Sequence, residues 1–496
     1  MAHRQQHVDY DVVIVGAGIS GINMAYRLQE RNPELSYCII DGRHEIGGTW
    51  SLFKYPGIRS DSDLYTFGFP WRIWEEKQPI AHGSLILKYL KESAAQAGID
   101  RHIKFNHWIR KMNWSSASSS WELDVDANVD GDAAAAAAKV KLRSRFVFLG
   151  TGYYDYNEPL QTQIPGIDSF KGTVVHPQFW PADLDYAGKN VVVIGSGATA
   201  VTLLPSMCDK AAHITMLQRS PSYIIALPEK DPVDRAVRFL MPRPVARSVI
   251  RFKWILSAFL LTTFCKWFPR LARALILRRT SAELPRGVNL DPHFTPRYNP
   301  WEQRMCLCPG GDFFKCLKTG KASVETGVID RVTADTIKLT SGRELHPDII
   351  VTATGLKVRL AGGIAASIDG KPVDILDRHA WKGCMLEDIP NLALSFGYVD
   401  ASWTLGADAT AQLVCRMLAK STAQGYSVIV PRLSDDEKAS MTYLPFMRLN
   451  STYIQKANGM FPKVGTSPQW RPRTHYWKDI ASAWWGSIDS GIQWLK

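Results

Sequence analysis

Two glycine clusters hold the residues best suited to chemistry. Gly16-Ala17-Gly18-Ile19-Ser20-Gly21 directly follows the run Asp11 to Val15, and Gly195-Ser196-Gly197-Ala198-Thr199-Ala200 follows Asn190 to Ile194. Each has the strand, turn, helix order of a dinucleotide fingerprint. The first glycine (Gly16, Gly195) permits the tight turn, and the second (Gly18, Gly197) lets the backbone approach a pyrophosphate. The third position (Gly21, Ala200) keeps the helix close to the strand. N–H groups at each helix N-terminus are then free to bind the phosphates. The end of the next strand tells the two sites apart. Asp41, after the apolar run Tyr37 to Ile40, offers a carboxylate to ribose hydroxyls, the form taken by FAD or NAD sites. In the second unit the strand His213 to Leu217 leads into Gln218-Arg219-Ser220, where a guanidinium can pair with a 2'-phosphate that a carboxylate would repel. Arg219 therefore predicts NADPH over NADH, and the two clusters together predict redox chemistry between two dinucleotides.

Between the clusters, Phe170 to Pro181 reads F-K-G-T-V-V-H-P-Q-F-W-P. This FxGxxxHxxxWP string, with Phe170, Gly172, His176 and Trp180 in register, resembles the signature of type I Baeyer-Villiger monooxygenases. Their sister branch, the flavin-containing monooxygenases, carries Tyr or Phe where this chain has Trp180. The resemblance covers nearly the whole chain and looks most like the branch of the ethionamide-activating monooxygenase. Gly47-Gly48-Thr49-Trp50, Tyr55-Pro56-Gly57-Ile58-Arg59-Ser60-Asp61-Ser62-Asp63, Tyr298-Asn299-Pro300-Trp301 and Ala401-Ser402-Trp403-Thr404-Leu405 carry it further.

The resemblance implies an enzyme in which NADPH reduces FAD, dioxygen adds at flavin C4a, and the deprotonated peroxide attacks a ketone to yield an ester or lactone. Sulfoxidation is an implied side activity. Gly48, Thr49 and Trp50 match the segment that covers the flavin. Arg304 takes the place of the cation beside the peroxide, with Asp61 as its partner. A guanidinium suits that task because it stays charged and gives up no proton that would quench the nucleophile. Relatives often carry Lys just before this Arg, where it grips the 2'-phosphate. Gln303 stands there here, which shifts that selectivity toward Arg219. By the same resemblance His176 and Trp180 belong to a hinge rather than to proton transfer, and Trp403 lines the substrate pocket. The rival enzyme reading is a flavin-containing monooxygenase acting on sulfur or nitrogen, whose protonated oxidant needs no Arg304. A disulfide reductase needs a redox dithiol, and no CxxC or CxxxxC follows either fingerprint. A non-catalytic flavin sensor has no use for Asp61, Arg219 and Arg304 together.

The elements that must position these residues form an α/β chain. Its expected architecture is two Rossmann-like dinucleotide-binding domains, for FAD and NADP, with an inserted helical subdomain. Residues 1–150 read as the first part of the FAD domain. Residues 165–345 read as the NADP domain, with the insertion at about 229–297, and 346–496 as the second part of the FAD domain and a tail. Ser115 to Ala138 is rich in Ser and Ala and reads as a hairpin excursion. In the tail, Trp477, Trp484 and Ile488 stand at helical spacing, as for docking against the core.

The net charge is +12, and Arg235 to Arg279 alone holds nine Arg and two Lys with no Asp or Glu. Its uncharged centre, Trp254 to Cys265, has twelve residues, short of the roughly twenty that span a bilayer. A packed subdomain with a basic face is favoured there over an amphipathic membrane anchor. No nucleic-acid module is recognisable. Eight scattered cysteines suggest neither a disulfide framework nor a zinc site, and the polar N-terminus has no apolar signal core. A cytoplasmic location is the expectation, with a small ketone or thioether and O2 as the other partners.

Overall fold

The computed structural model describes residues 8–128, 138–447, 451–457 and 459–496, and in it each glycine cluster follows a strand flanked on both sides by parallel neighbours in a sheet of its own. In the first lobe β1 (Tyr10–Val15) runs into α1 (Ile19–Arg31) and pairs with β2 (Tyr37–Ile40) on one side and β3 (Ala138–Leu149) on the other, both parallel. Val12, Val13 and Ile14 are fully buried, as an apolar run flanked by strands on both sides requires. β3 alternates exposed and buried residues through Ser144 and then turns wholly inward at Phe146 to Leu149, where it joins β1. The strands His107–Ser115 and Ser120–Ala127 extend the sheet as an antiparallel meander with β3. The expected excursion at 115–138 thus begins as this meander, and its residues 129–137 lie outside the described ones.

The second lobe is a five-stranded parallel sheet. β4 (Thr173–Val175) forms one edge, and β5 (Asn190–Ile194) runs into α2 (Ala198–Met207) and pairs with β6 (His213–Gln218). The helices α3 (Pro232–Leu240), α4 (Arg243–Trp267) and α5 (Pro269–Glu283) follow, then the short α6 (Asp312–Lys318) and the other edge, β7 (Ala322–Thr326). One boundary needs correction. Ile349–Thr352, expected to open the second part of the first domain at 346, is β8 of this sheet, held between β5 and β4. Three apolar side chains in a row, Ile349 to Val351, suit the middle of either sheet, and only the pairing decides; the chain returns to the first lobe after β8.

The basic stretch also differs from expectation. The uncharged twelve residues belong to α4, a 25-residue helix long and apolar enough by length and composition to cross a membrane. Its packed side is narrow, with Ala246, Ile250, Arg251, Thr262 and Cys265 buried, while large apolar side chains face solvent. At the C-terminus α7 (Trp403–Gln424) lies against α1, tied by the buried pair Arg27 Nε to Asp408 Oδ1 at 2.7 Å. α8 (Tyr476–Trp485) docks through Ile480 and Ala483. The expected Trp477, Trp484, Ile488 face is therefore only partly right. Trp477 meets Phe252 of α4 at 5.9 Å and Ile488 is buried beyond the helix end, but Trp484, still within the helix, is exposed.

Candidate active site

Gly16 takes φ +102° and a Cβ there would meet Gly150 O at 2.8 Å; one on Gly21 would meet Gly16 O at 1.9 Å. The turn and the close seat of α1 on β1 therefore both demand glycine. In the second lobe Gly195 has φ +142° and Ala200 is fully buried against the sheet. No side chain caps the N-terminus of α1 or of α2, and neither helix has an acid in its first turn. A Cβ on Gly18 would touch nothing closer than 3.8 Å, and on Gly197 nothing within 4 Å. Both helix ends thus present unclaimed N–H donors to open space, which fits the pyrophosphate of a dinucleotide.

A cleft of about 740 Å³ opens from the first of these ends, lined by Gly16, Gly18, Asp41, Gly48, Trp108 and Tyr156 among others. Asp41 is buried, its Oδ2 accepting from Ala17 N–H at 2.6 Å and its Oδ1 from Arg43 N–H at 2.8 Å. Burial pushes its carboxyl above the ordinary value while the two N–H groups pull it back. Its remaining lone pairs face the cleft, suited to ribose hydroxyls. Thr49 hydrogen-bonds Tyr156, and Trp50 sets its edge on Phe67 at 5.6 Å. Arg219 is exposed at the first position beyond β6, level with the α2 N-terminus in the parallel sheet.

A second, aromatic chamber of about 580 Å³ is lined by Tyr153, Phe396, Trp403, Phe446, Tyr453 and Arg304 with six further residues. It meets the cleft at consecutive tyrosines. Tyr153 lines the chamber, Tyr154 the cleft, and their hydroxyls lie 2.7 Å apart. Trp403 stacks on Tyr153 at 5.3 Å and donates its indole N–H to Ser20 Oγ at 2.8 Å. Two cations line the chamber, Arg304 from the second lobe and Arg473, and the guanidinium of Arg304 donates to Asp61 from the first lobe. Asp61 raises the Arg304 pKa, which keeps the guanidinium charged throughout. Burial opposes ionisation of Asp61, but the charge and hydrogen bond of Arg304 win and hold its carboxyl below the usual range. Each side chain is more than a third exposed, 37% and 42%, so the attraction is screened and the pair serves to position more than to stabilise. Gln303 lies half-buried just before it.

The string Phe170 to Pro181 spans the edge strand β4 and the turn after it. Phe170 packs on the second-lobe core, and a Cβ on Gly172 would meet Asp348 O at 2.5 Å. His176 Nδ1 accepts from Gln178 N–H at 3.2 Å, and Gln178 Nε2 donates to Asp155 O at 2.7 Å, which ties this turn to the segment leaving β3. Burial pushes the His176 imidazole below its ordinary value, so it is neutral at pH 7. Trp180 packs on the second-lobe core. These residues therefore sit at the junction of the lobes, away from the chamber wall. Phe446, Tyr453 and Arg473 are chamber residues that sequence reasoning missed, for no motif surrounds them. Tyr153 and Tyr154 had a signal, since they directly follow the Gly150-Thr151-Gly152 end of β3, the sheet edge where ligands gather.

Comparison with known proteins agrees with this geometry. The family model described as flavin-binding monooxygenase-like matches residues 9–270. FAD-containing monooxygenase EthA of Mycobacterium tuberculosis is 45% identical over 489 residues, 98% of either chain. EthA of Mycolicibacterium smegmatis is 44% identical over 481 residues, 97% of this chain and 96% of that one. Among solved structures, an oxidized steroid monooxygenase bound to NADP superposes with a TM-score of 0.73 at 20% identity, covering 98% of this chain and 99% of its own. OTEMO in complex with FAD and NADP superposes at 0.72 and 18%, covering 99% and 100%. At those identities the superpositions establish a shared two-lobed fold.

Proposed function

The chain belongs to the flavin-binding monooxygenase-like family, and from that membership we propose that it is an NADPH- and O2-dependent Baeyer-Villiger monooxygenase converting ketones to esters or lactones. The observation that carries this reading is Arg304, held by Asp61 across the lobe junction at the wall of an aromatic chamber that adjoins the dinucleotide cleft. The cleft residues Gly16, Gly18, Asp41, Gly48 and Thr49 suit FAD, and Gly195, Gly197 and Arg219 suit NADP with its 2'-phosphate. Bound flavin would relay the reducing equivalents of NADPH and supply the site at which dioxygen is activated.

The protein's own share is electrostatic. Oxygen transfer to a carbonyl needs an unprotonated, nucleophilic oxygen and then an alkoxide, and both are anions. Arg304 offers a permanent positive charge to each without offering a proton. Asp61 fixes where that charge sits. Tyr153, Phe396 and Trp403 give an apolar enclosure that excludes water and accepts the hydrocarbon part of a ketone. Thioethers fit the same enclosure, and sulfoxidation needs no counter-charge, so it accompanies the main reaction as a side activity.

The test is product analysis after incubation with NADPH, air and a panel of linear, cyclic and aryl ketones plus a thioether, comparing the wild type with Arg304→Ala. The wild type is expected to form esters. The variant is expected to retain FAD and its reduction by NADPH, to lose ester formation by at least about 100-fold, as removal of an oxyanion-stabilising donor does, and to keep some sulfoxide formation. Normal ester yield from the variant would sink the assignment. Sulfoxide without any ester from the wild type would favour a heteroatom oxygenase instead.

A further inference from the structure

The solvent face of α4 is as apolar as a core face. At 3.6 residues per turn, Val245, Phe252, Leu256, Leu260 and Trp267 fall within an arc of about 80° on the side opposite its buried residues, and all five are exposed. Exposed apolar side chains follow past both ends of the helix. Phe239 and Leu240 close α3 at 87% and 74% exposure, and Phe268, Leu271 and Leu275 carry the exposed apolar surface into α5. Isolated exposed leucines are ordinary, but exposed large apolar side chains concentrated on three successive helices mark a contact surface.

About half of the charges beside it are uncommitted. Arg247, Lys253 and Lys266 are paired with Glu75, Asp231 and Asp400. Arg235, Arg243, Arg270, Arg278 and Arg279 are exposed, and among the described residues none of the five has an acidic partner. From 235 to 279 the sequence supplies no acid at all.

We propose that α3, α4 and α5 form a docking face for an anionic lipid bilayer, with the apolar stripe of α4 entering the acyl boundary and the free arginines meeting headgroup phosphates. The mode is peripheral, because Arg251 on the opposite side of α4 is buried and donates to Tyr65 O at 2.6 Å and Gly68 O at 2.9 Å. Those bonds hold the helix on the protein. A second copy of the chain fits this face poorly. A two-fold contact sets a surface against itself, and here that would bring unpaired arginines together with no acid between them.

The experiment is flotation of the holoenzyme with vesicles of phosphatidylcholine alone or with added phosphatidylglycerol, at low and high salt. The expected result is about tenfold more floated protein with the anionic vesicles, much of it retained at high salt, since screening weakens charge attraction but not hydrophobic insertion. Leu260→Ser/Trp267→Ser/Leu271→Ser should lose the salt-resistant fraction about tenfold, with flavin absorbance and ketone oxidation in vesicle-free buffer unchanged. Arg270→Gln/Arg278→Gln/Arg279→Gln should lose the preference for anionic vesicles. Three outcomes overturn the proposal: holoenzyme that stays at the bottom of the gradient with anionic vesicles; flotation abolished by salt and unaffected by the serine variant; or a vesicle-free oligomer, or a complex with an acidic protein, that the serine variant dissociates while flotation is absent. Failure of the ketone reading would appear in the product assay and leave flotation untouched.

Discussion

At the scale of single residues, the proposed cofactor preference rests on one position after a strand. Asp41 and Arg219 occupy corresponding places after β2 and β6, and their opposite charges would suit a free ribose hydroxyl and a 2'-phosphate respectively. With Gln303 in place of a second cation, Arg219 should carry most of that selectivity. Arg219→Ala is expected to raise the Michaelis constant for NADPH and leave that for NADH nearly unchanged, by about 1.5 to 3 kcal/mol, the worth of a charged bidentate pair. Steady-state kinetics with both cofactors measure it, and equal effects on the two would show that this arginine does not read the phosphate. Neighbouring residues can also be driven in opposite directions. Asp61 faces Arg304 and is held below the usual carboxylate range, whereas Asp63, two residues on, is raised by burial to about 6.

At the scale of elements, Asp63 is the N-cap of the short helix Leu64–Phe67, its Oδ1 accepting from Thr66 N–H at 2.8 Å and its Oδ2 from Thr66 Oγ1–H at 2.7 Å. Its folded pKa lies above the unfolded value of about 3.9. The native state therefore binds the proton first as pH falls, and the group adds stability on going down from about 7 to about 4, having cost stability while ionised. Asparagine caps as well as aspartate and cannot titrate. Asp63→Asn should match or exceed the wild-type stability at pH 7, by up to about 3 kcal/mol for a shift of this size, and lose that advantage toward pH 4. Parallel Tm curves for the two proteins across that window would refute the argument. The segment just before this helix has contacts of its own. Tyr55 hydrogen-bonds Thr199, a Cβ on Gly57 would meet Ser206 Oγ at 1.7 Å, Arg59 pairs with Asp312, and Asp61 pairs with Arg304. Residues 55, 57, 59 and 61 thus all meet the second lobe, the first two from a turn closed by Ile58 N–H donating to Tyr55 O at 3.2 Å.

At the scale of the whole molecule, that seam sets how the two cofactor lobes meet. Arg59 is almost wholly buried while Asp312, at the start of α6, is partly exposed. Removing one partner of a buried pair costs about 3 to 5 kcal/mol, and the exposure of Asp312 puts Asp312→Ala at the lower end. Thermal unfolding should show that loss, and Arg59→Met/Asp312→Leu should recover most of it. Losses that simply add would mean that the pair does not bridge the lobes energetically. Much of this architecture was legible in the chain itself. A positive φ at Gly16, the seat of α1 on β1 and the fully apolar strands are local demands, so residue type and spacing specify them without knowledge of distant contacts. The place of Arg304 and Asp61 was legible only through resemblance, since 243 positions separate them and no periodicity spans that distance. Three features belonged to the tertiary structure alone. Ile349–Thr352 joined the second sheet because an apolar strand reads the same whichever neighbours it pairs with. The chamber drew Tyr153, Phe446, Tyr453 and Arg473 from segments with no common motif. The stripe on α4 proved to face solvent, because helical periodicity tells which residues share a face but not what that face meets.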